Sequence, residues 1–346
     1  MVRRKPKSRK KKGSGAAGTI LAAFFVLLLG AGAAAWLVLT PYGPQSETFV
    51  ELAPGSSTLR MGRQLESAGI VRSRFAFDLL RWYKRGTLRA GEYRFDHPVT
   101  LTEVYARIAR GDVYTKAVVV PEGASIFEIA ARLEQAGLGT RQEFLDAAAK
   151  QTGLVADLDP GATSLEGYLF PDTYRFARKA TPAQIAATMV RRFRTVAAQL
   201  GLKRNVHTVV TMASLIERET AVDAERPLVA SVFENRLAKN MPLMTDPSVI
   251  YGLELEGRWR GAVYQSDLGA NTPYNTYLHT GLPPGPVANP GIKSLRAAME
   301  PAKTDYLYFV AAGANPQGRT LFSRTLDEHN HNVAGYRHAM KKAGGR

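Results

Sequence analysis

Two glutamates, Glu217 and Glu219, interrupt an apolar, helix-forming run that reads MASLIERET from Met212 to Thr220. A carboxylate removed from water is costly unless it is paired or protonated, so acids in such a run need a reason. General acid catalysis supplies one. Apolar surroundings disfavour the ionised form and lift a carboxyl pKa toward neutrality, where it donates a proton at pH 7. On a 3.6-residue helix Glu217 falls on the stripe of Val206, Val210 and Ala213, with Thr220 one turn on. His207, Thr211, Ser214 and Arg218 trace a more polar side. The competing reading is a helix-edge glutamate paired with Arg218 or a basic residue downstream. Spacing alone leaves Glu217 and Glu219 both open as the acid.

Metal chemistry finds little support. In Glu328-His329-Asn330-His331 the imidazoles diverge by about 200° on a helix, so they do not share an ion. No other histidine or acid cluster has ligand spacing, and the chain has no cysteine. Neither a metal nor another cofactor is expected, and His329 reads as a cap or a hydrogen bond to a loop. Without disulfides or a lipid-modified thiol, the folded part relies on its core alone.

The net charge is +16, but eight of the basic residues lie in positions 1–15, leaving about +8 for the rest. A Lys/Arg run of this kind suits phosphates and so invites a nucleic-acid reading. The following 24 residues, Ala16 to Leu39, argue otherwise because they carry no charge. At ~1.5 Å per residue they cross a hydrocarbon core of ~30 Å. Basic flanks mark the cytoplasmic side, so the tail is expected inside and residues 41–346 outside. Ala33-Ala34-Ala35 looks like a cleavage site, yet the stretch exceeds the ~7–15 apolar residues of a signal peptide. An uncleaved anchor fits better, and it separates the basic tail from the folded part, so no nucleic-acid partner is expected. A length of 346 residues, 45% apolar and 22% charged, suits two or more globular domains.

After a polar linker at 40–47 comes an internal repeat. GSSTLRMGRQLESAGI (Gly55–Ile70) and GASIFEIAARLEQAGL (Gly123–Leu138) share six residues at an offset of 68. Each copy follows an extended apolar stretch, Phe49–Leu52 or Ala117–Val120. Ser57 or Ser125 caps a helix, and Gly69 or Gly137 closes it. A second helix follows, Arg74–Lys84 or Arg141–Lys150, and then an aromatic strand, Gly91–Phe95 or Gly167–Phe170. The unit is therefore strand–helix–helix–strand, which resembles the LysM glycan-binding module in order and length. Further helices are predicted over Pro182–Leu202, Val206–Ala221 and about Glu225–Asn240. Residues 241–294, rich in Gly, Pro, Asn and Tyr, read as loop. Asp305–Ala311 and Thr320–Ser323 read as paired strands, and a last helix begins near Leu326.

The helix motif, with AVDAERPLVASVFENRL (Ala221–Leu237) after it, resembles the catalytic helix of the endolytic murein transglycosylases, the YceG-like family. LEGYLFPDTY (Leu165–Tyr174), MPLMTDPSVIYGL (Met241–Leu253), PYNTYLHTGLPPGPVANPG (Pro273–Gly291), PAKTDYLYFVA and TLFSRTLDEHN (within Pro301–Asn330) resemble further family blocks in the family's order. Together they cover most of residues 117–333. The resemblance implies an α+β protein. It has a transmembrane helix at 16–39, a small LysM-like β-α-α-β domain at 48–116, a larger helix-rich catalytic domain at 117–341 and a short tail at 342–346.

It also implies that the first glutamate of the motif, Glu217, is the catalytic acid, with Glu219 in support. The implied reaction cuts peptidoglycan between N-acetylmuramic acid and N-acetylglucosamine without water, leaving a 1,6-anhydromuramoyl end. One carboxyl serves as acid and then base, whereas ordinary glycosidases need two. Endolytic action implies an open groove. Its candidate residues are Glu166, Tyr168, Tyr174, Asn275, Tyr277 and Asn289, because aromatic faces stack on sugars and amides bond acetamido groups. Tyr168 and Tyr174 equally suit the core of a strand. Pro283, Pro284, Pro286 and Pro290 stiffen their loop into a fixed wall. Peptidoglycan strands and their synthases, the penicillin-binding proteins, are the implied partners, met outside a bacterial cytoplasmic membrane where strand growth would be terminated. Two rivals remain: a muramidase using Glu166 or Asp246 to activate water, and a non-catalytic glycan-binding scaffold.

Overall fold

The computed structural model describes residues 15–313 and 319–344. The basic side chains of the tail at 1–15, and residues 345–346 of the C-terminal tail, lie outside that range. Two compact units divide the chain, residues 1–115 and 116–346.

The first unit opens with α1 (Gly15–Leu39), whose Gly18–Leu39 stretch is long and apolar enough to cross a membrane. β1 (Thr48–Leu52), α2 (Thr58–Ser67), α3 (Arg74–Lys84) and β2 (Gly91–Phe95) then follow in the order of the repeat. β1 and β2 pair antiparallel with Thr48 opposite Phe95. Their period of two turns Val50, Leu52, Tyr93 and Phe95 inward onto Leu65 and Phe77. The expected caps are present: Ser57 accepts the Arg60 amide, and Gly69 closes α2 at φ 68°. A further helix, α4 (Leu101–Arg110), packs Val104 and Ile108 into the same core.

The second unit repeats the order with β3 (Thr115–Val120), α5 (Ile126–Gln135), α6 (Arg141–Lys150) and β4 (Asp172–Ala177). β3 pairs with β4. Ser125 and Glu128 form a reciprocal capping box at the start of α5. The predicted strand at Gly167–Phe170 is a turn, and the strand begins two residues beyond it, at Asp172. Tyr168, Leu169 and Phe170 are all buried, with no alternation, whereas Tyr174 and Phe176 alternate with exposed neighbours.

The rest is helical: α7 (Pro182–Leu200), α8 (Val206–Glu219), α9 (Arg226–Ala238), α10 (Asp246–Leu255) and α11 (Ile292–Met299). The hairpin β5 (Tyr308–Ala311) and β6 (Thr320–Ser323) and the helix α12 (Leu326–Gly344) complete it. α10 falls inside the segment read as loop. Pro247 in its first turn is tolerated there, and Gly252 is needed because a Cβ would sit 2.2 Å from Thr272 Oγ1. α8 is enclosed on two sides. Val206, Val210 and Ala213 join the core of the repeat, and Met212, Leu215 and Ile216 join Val229, Phe233 and Tyr251.

Candidate active site

The two glutamates leave α8 in different directions because residues two apart on a helix diverge by about 200°. Glu217 turns toward α9 and α11. Its Oε1 accepts a hydrogen bond from Arg226 Nη1 at 2.7 Å, and its Oε2 accepts one from the Gly291 amide at 2.8 Å. Both side chains of the ion pair are about 95% buried, Glu217 at 5% and Arg226 at 6% exposure. Arg226 also donates to Ser294 Oγ and Asp223 Oδ1. Glu217 is thus one end of a brace joining α8, α9 and α11, and its end is polar rather than apolar.

Glu219, the last residue of α8, points into a cavity of about 400 Å³. Burial, reinforced by the nearby Asp246 charge and opposed by Arg236, pushes its carboxyl up to about 7. Across the cavity stand Asp246, Tyr277, Tyr308 and His329. Tyr277 donates its phenol proton to Asp246 Oδ1 at 2.7 Å. His329 stacks on Tyr308 with ring centroids 5.1 Å apart, and burial, then Arg236, depresses its pKa. The Arg236 guanidinium is spent on the carbonyls of Leu307, Pro242 and Leu243. It therefore lends Glu219 positive potential without forming an ion pair with it.

Each wall of the cavity is held from behind. Glu225 accepts from the Thr320 amide and hydroxyl, tying the start of α9 to the hairpin that carries Tyr308. Asn235 donates to the carbonyls of Thr304 and Tyr306. Ser248 and Thr276 hydrogen-bond at 2.8 Å, and Thr276 receives the Thr245 amide, so Asp246 and Tyr277 are brought together.

Of the six predicted groove residues, Tyr277 alone lines this cavity. The other five are buried and spend their polar atoms on the fold. Glu166 accepts from the Ile126 amide and from Asn289 Nδ2, and burial pushes its carboxyl up to about 8. Asn289 also accepts the Leu169 amide. Tyr168 donates to Asp159, and Tyr174 donates to the Phe170 carbonyl. Asn275 donates to the carbonyls of Leu268 and Ala270. Glu166, Tyr168, Tyr174, Asn275 and Asn289 are at most 7% exposed and offer little surface to a ligand.

Arg236, Thr245 and Tyr308 escape sequence reading because nothing in their spacing links residues brought together by α9, α10 and β5. His329, expected as a cap or a hydrogen bond to a loop, instead lines this cavity and stacks on Tyr308. Among the described residues no cluster of three or more potential ligands occurs.

A family model described as the YceG-like family matches residues 50–335. The chain is 35% identical to the endolytic murein transglycosylase of Bacillus subtilis (strain 168), over 85% of this chain and 86% of that protein. It is 29% identical to the endolytic murein transglycosylase of Streptococcus pneumoniae serotype 2 (strain D39), of whose length it spans 60%. A crystal structure of a yceG-like protein from Listeria monocytogenes aligns with a TM-score of 0.54 at 32% identity, covering 83% of this chain and 99% of that one. With a family match running from β1 into α12, the chain belongs to the YceG-like family.

Proposed function

We propose that this chain is a membrane-anchored lytic transglycosylase that cuts within peptidoglycan strands, with Glu219 as the acid. The observation that carries the reading is the carboxyl of Glu219, which ends in a cavity and stays protonated to about pH 7. Glu217, the first glutamate of the motif, is a poorer candidate because both its oxygens accept hydrogen bonds within the protein. In the proposed cycle Glu219 gives its proton to the oxygen between N-acetylmuramic acid and N-acetylglucosamine as that bond breaks. The same carboxylate then takes the proton of the muramoyl C6 hydroxyl while its oxygen closes on C1. The product is a 1,6-anhydromuramoyl end, with no water consumed. Tyr277 offers a face for sugar stacking beside the acid.

Hydrolysis of the same bond is the second reading, and Asp246 favours it by lining the same cavity as Glu219. A water-activating carboxylate opposite the acid is what an inverting glycosidase uses. Mass analysis of the products separates the two, since an anhydro end lacks the water that a reducing end contains. Lytic action predicts anhydro products from the native chain and from Asp246→Asn. Reducing ends that vanish in Asp246→Asn would instead favour hydrolysis. Glu219→Gln is expected to lower the rate by roughly 10²–10⁴-fold, the usual contribution of general acid catalysis. A scaffold without activity would leave glycan lengths unchanged by that substitution. The helix α1 anchors this activity, with the folded part outside the cytoplasmic membrane of a bacterium, where peptidoglycan synthases supply nascent strands.

A further inference from the structure

We infer that the outward face of α3 lies in the membrane surface at the C-terminal end of α1, with Phe75, Leu79 and Trp82 against lipid. The inference rests on α1 crossing a bilayer and is independent of the chemistry proposed for Glu219.

α3 is apolar on two sides. Phe77 and Leu80 face the core of the first unit, at 0% and 9% exposure. Phe75, Leu79, Trp82 and Tyr83 are 60–75% exposed. Spacings of i, i+4, i+7 and i+8 place those four on a single stripe. A helix with apolar residues on opposite faces meets two apolar media. The core is one of them, and water is a poor candidate for the other, because contiguous apolar patches mark contact surfaces.

The neighbour identifies the second medium. A cavity of about 500 Å³ between α1 and α3 is lined by Ala34, Leu37 and Val38 on one side and by Phe75, Leu79 and Trp82 on the other. Ala34 lies about 7 Å along the helix axis from Leu39, at ~1.5 Å per residue, hence within the membrane-crossing stretch. Whatever fills this cavity is continuous with the lipid around α1. The depth of α3 is fixed by a clamp at the end of that helix. The Arg72 guanidinium sits 4.1 Å from the Trp36 ring and 4.9 Å from the Tyr42 ring, and it donates to the Pro41 carbonyl. Tyr42 in turn exchanges backbone hydrogen bonds with Val99. Trp and Tyr at this height are the residues of a membrane boundary.

Charge fits as well. α3 carries Arg74, Arg81 and Lys84 against a single acid, Asp78, and Arg85 follows at its end. Basic residues flanking an apolar helical stripe are the pattern of a helix lying on anionic lipid. A sugar would require polar partners, and Ser73 and Tyr83 supply the only side-chain hydroxyls on the cavity lining.

The absence of cysteine makes single-cysteine labelling of the full chain clean. Phe75→Cys, Leu79→Cys and Trp82→Cys, each carrying a nitroxide, are reconstituted in vesicles of phosphatidylethanolamine and phosphatidylglycerol. Leu29→Cys in α1 gives the lipid reference, and Lys150→Cys, at a side chain 78% exposed, gives the water reference. The ratio of oxygen to nickel-chelate accessibility is expected to exceed the Lys150 value several-fold at two or three of the α3 sites. A water-like ratio at any two of them overturns the inference, as an open or glycan-facing surface would read. Shielding from both reagents at any two also overturns it, because a second copy of the chain would then cover the face.

Discussion

Glu217 and Glu219 share a helix and a chemical type, and their surroundings set them to different work. Glu217 pairs with the buried Arg226, which keeps Asp223 as a second carboxylate partner, so removing Glu217 leaves buried donors unsatisfied at a cost of about 1–3 kcal/mol. Glu217→Ala is therefore expected to lower the unfolding free energy by that order in urea titration. Glu219→Gln, at a carboxyl that burial pushes up to about 7, is expected not to lower it and, above pH 4.5, to raise it, because the amide avoids ionising a buried acid. Activity should show a different pattern, because an acid at Glu219, as proposed, gives its proton only while protonated. The rate is expected to fall as pH rises through about 7. The Asp246 charge helps hold that value up, so Asp246→Asn is expected to move the alkaline limb toward acid by a fraction of a unit. A limb that stays in place in Asp246→Asn would separate the two carboxyls. The sequence revealed an acid out of place but not which of the two acids acts. Arg226 and Gly291, 74 residues away, occupy both oxygens of Glu217, and this is what favours Glu219 as the acid. No periodicity within α8 carries this information.

At the scale of elements, the family block containing Glu166 and the loop containing Asn289 form a buried joint. The Glu166 carboxyl bridges the start of α5 to the Asn289 loop, which also binds the Leu169 amide. Its pKa is about 8 in the fold, against an ordinary value of 4.5, because burial outweighs the hydrogen bond from Ile126. Between those values the folded chain holds a proton that the unfolded chain has released. The contribution of this group to stability is thus fully present below about 4.5 and declines as pH rises toward 8. Measured against Glu166→Gln, the native chain is expected to lose stability across that window, and a flat difference would refute the burial argument. Beside it, Gly167 has φ +86°, and a Cβ there would meet Pro286 at 2.5 Å and Val210 of α8 at 2.7 Å. Gly167→Ala is expected to destabilise by about 1–3 kcal/mol through overpacking, read as a lower urea midpoint. Local signals reveal the elements well where caps and periods agree, as in the Ser125 and Glu128 box or the hairpin strands β5 and β6. They fail for α10, because the residues that read as breakers, Pro247 and Gly252, are used where a helix tolerates or requires them.

For the whole molecule, the division of labour follows the two units. Every residue named around the cavity belongs to residues 116–346, and the membrane-crossing stretch belongs to residues 1–115. Glu219 therefore owes its setting to one unit, and an anchor formed by α1 would confine it to glycan near a membrane. Tethering turns an encounter in solution into one confined to a surface, and effective concentration gained in this way raises apparent affinity by about 10²–10⁴-fold without any new contact. A chain lacking residues 1–39 keeps β1 to α4 and the whole cavity. It is expected to cut soluble, uncrosslinked glycan at the rate of the full chain. On strands held in the same vesicle membrane by a lipid carrier, the full chain is expected to be faster by roughly 10²-fold or more when both are compared at low enzyme concentration. Equal rates on both substrates would mean that α1 only localises the protein and gives it no advantage on membrane-held strands. A loss of rate on soluble glycan would mean that α1 helps to hold the catalytic unit in shape, and the separation of roles between the anchor and the cavity would fail.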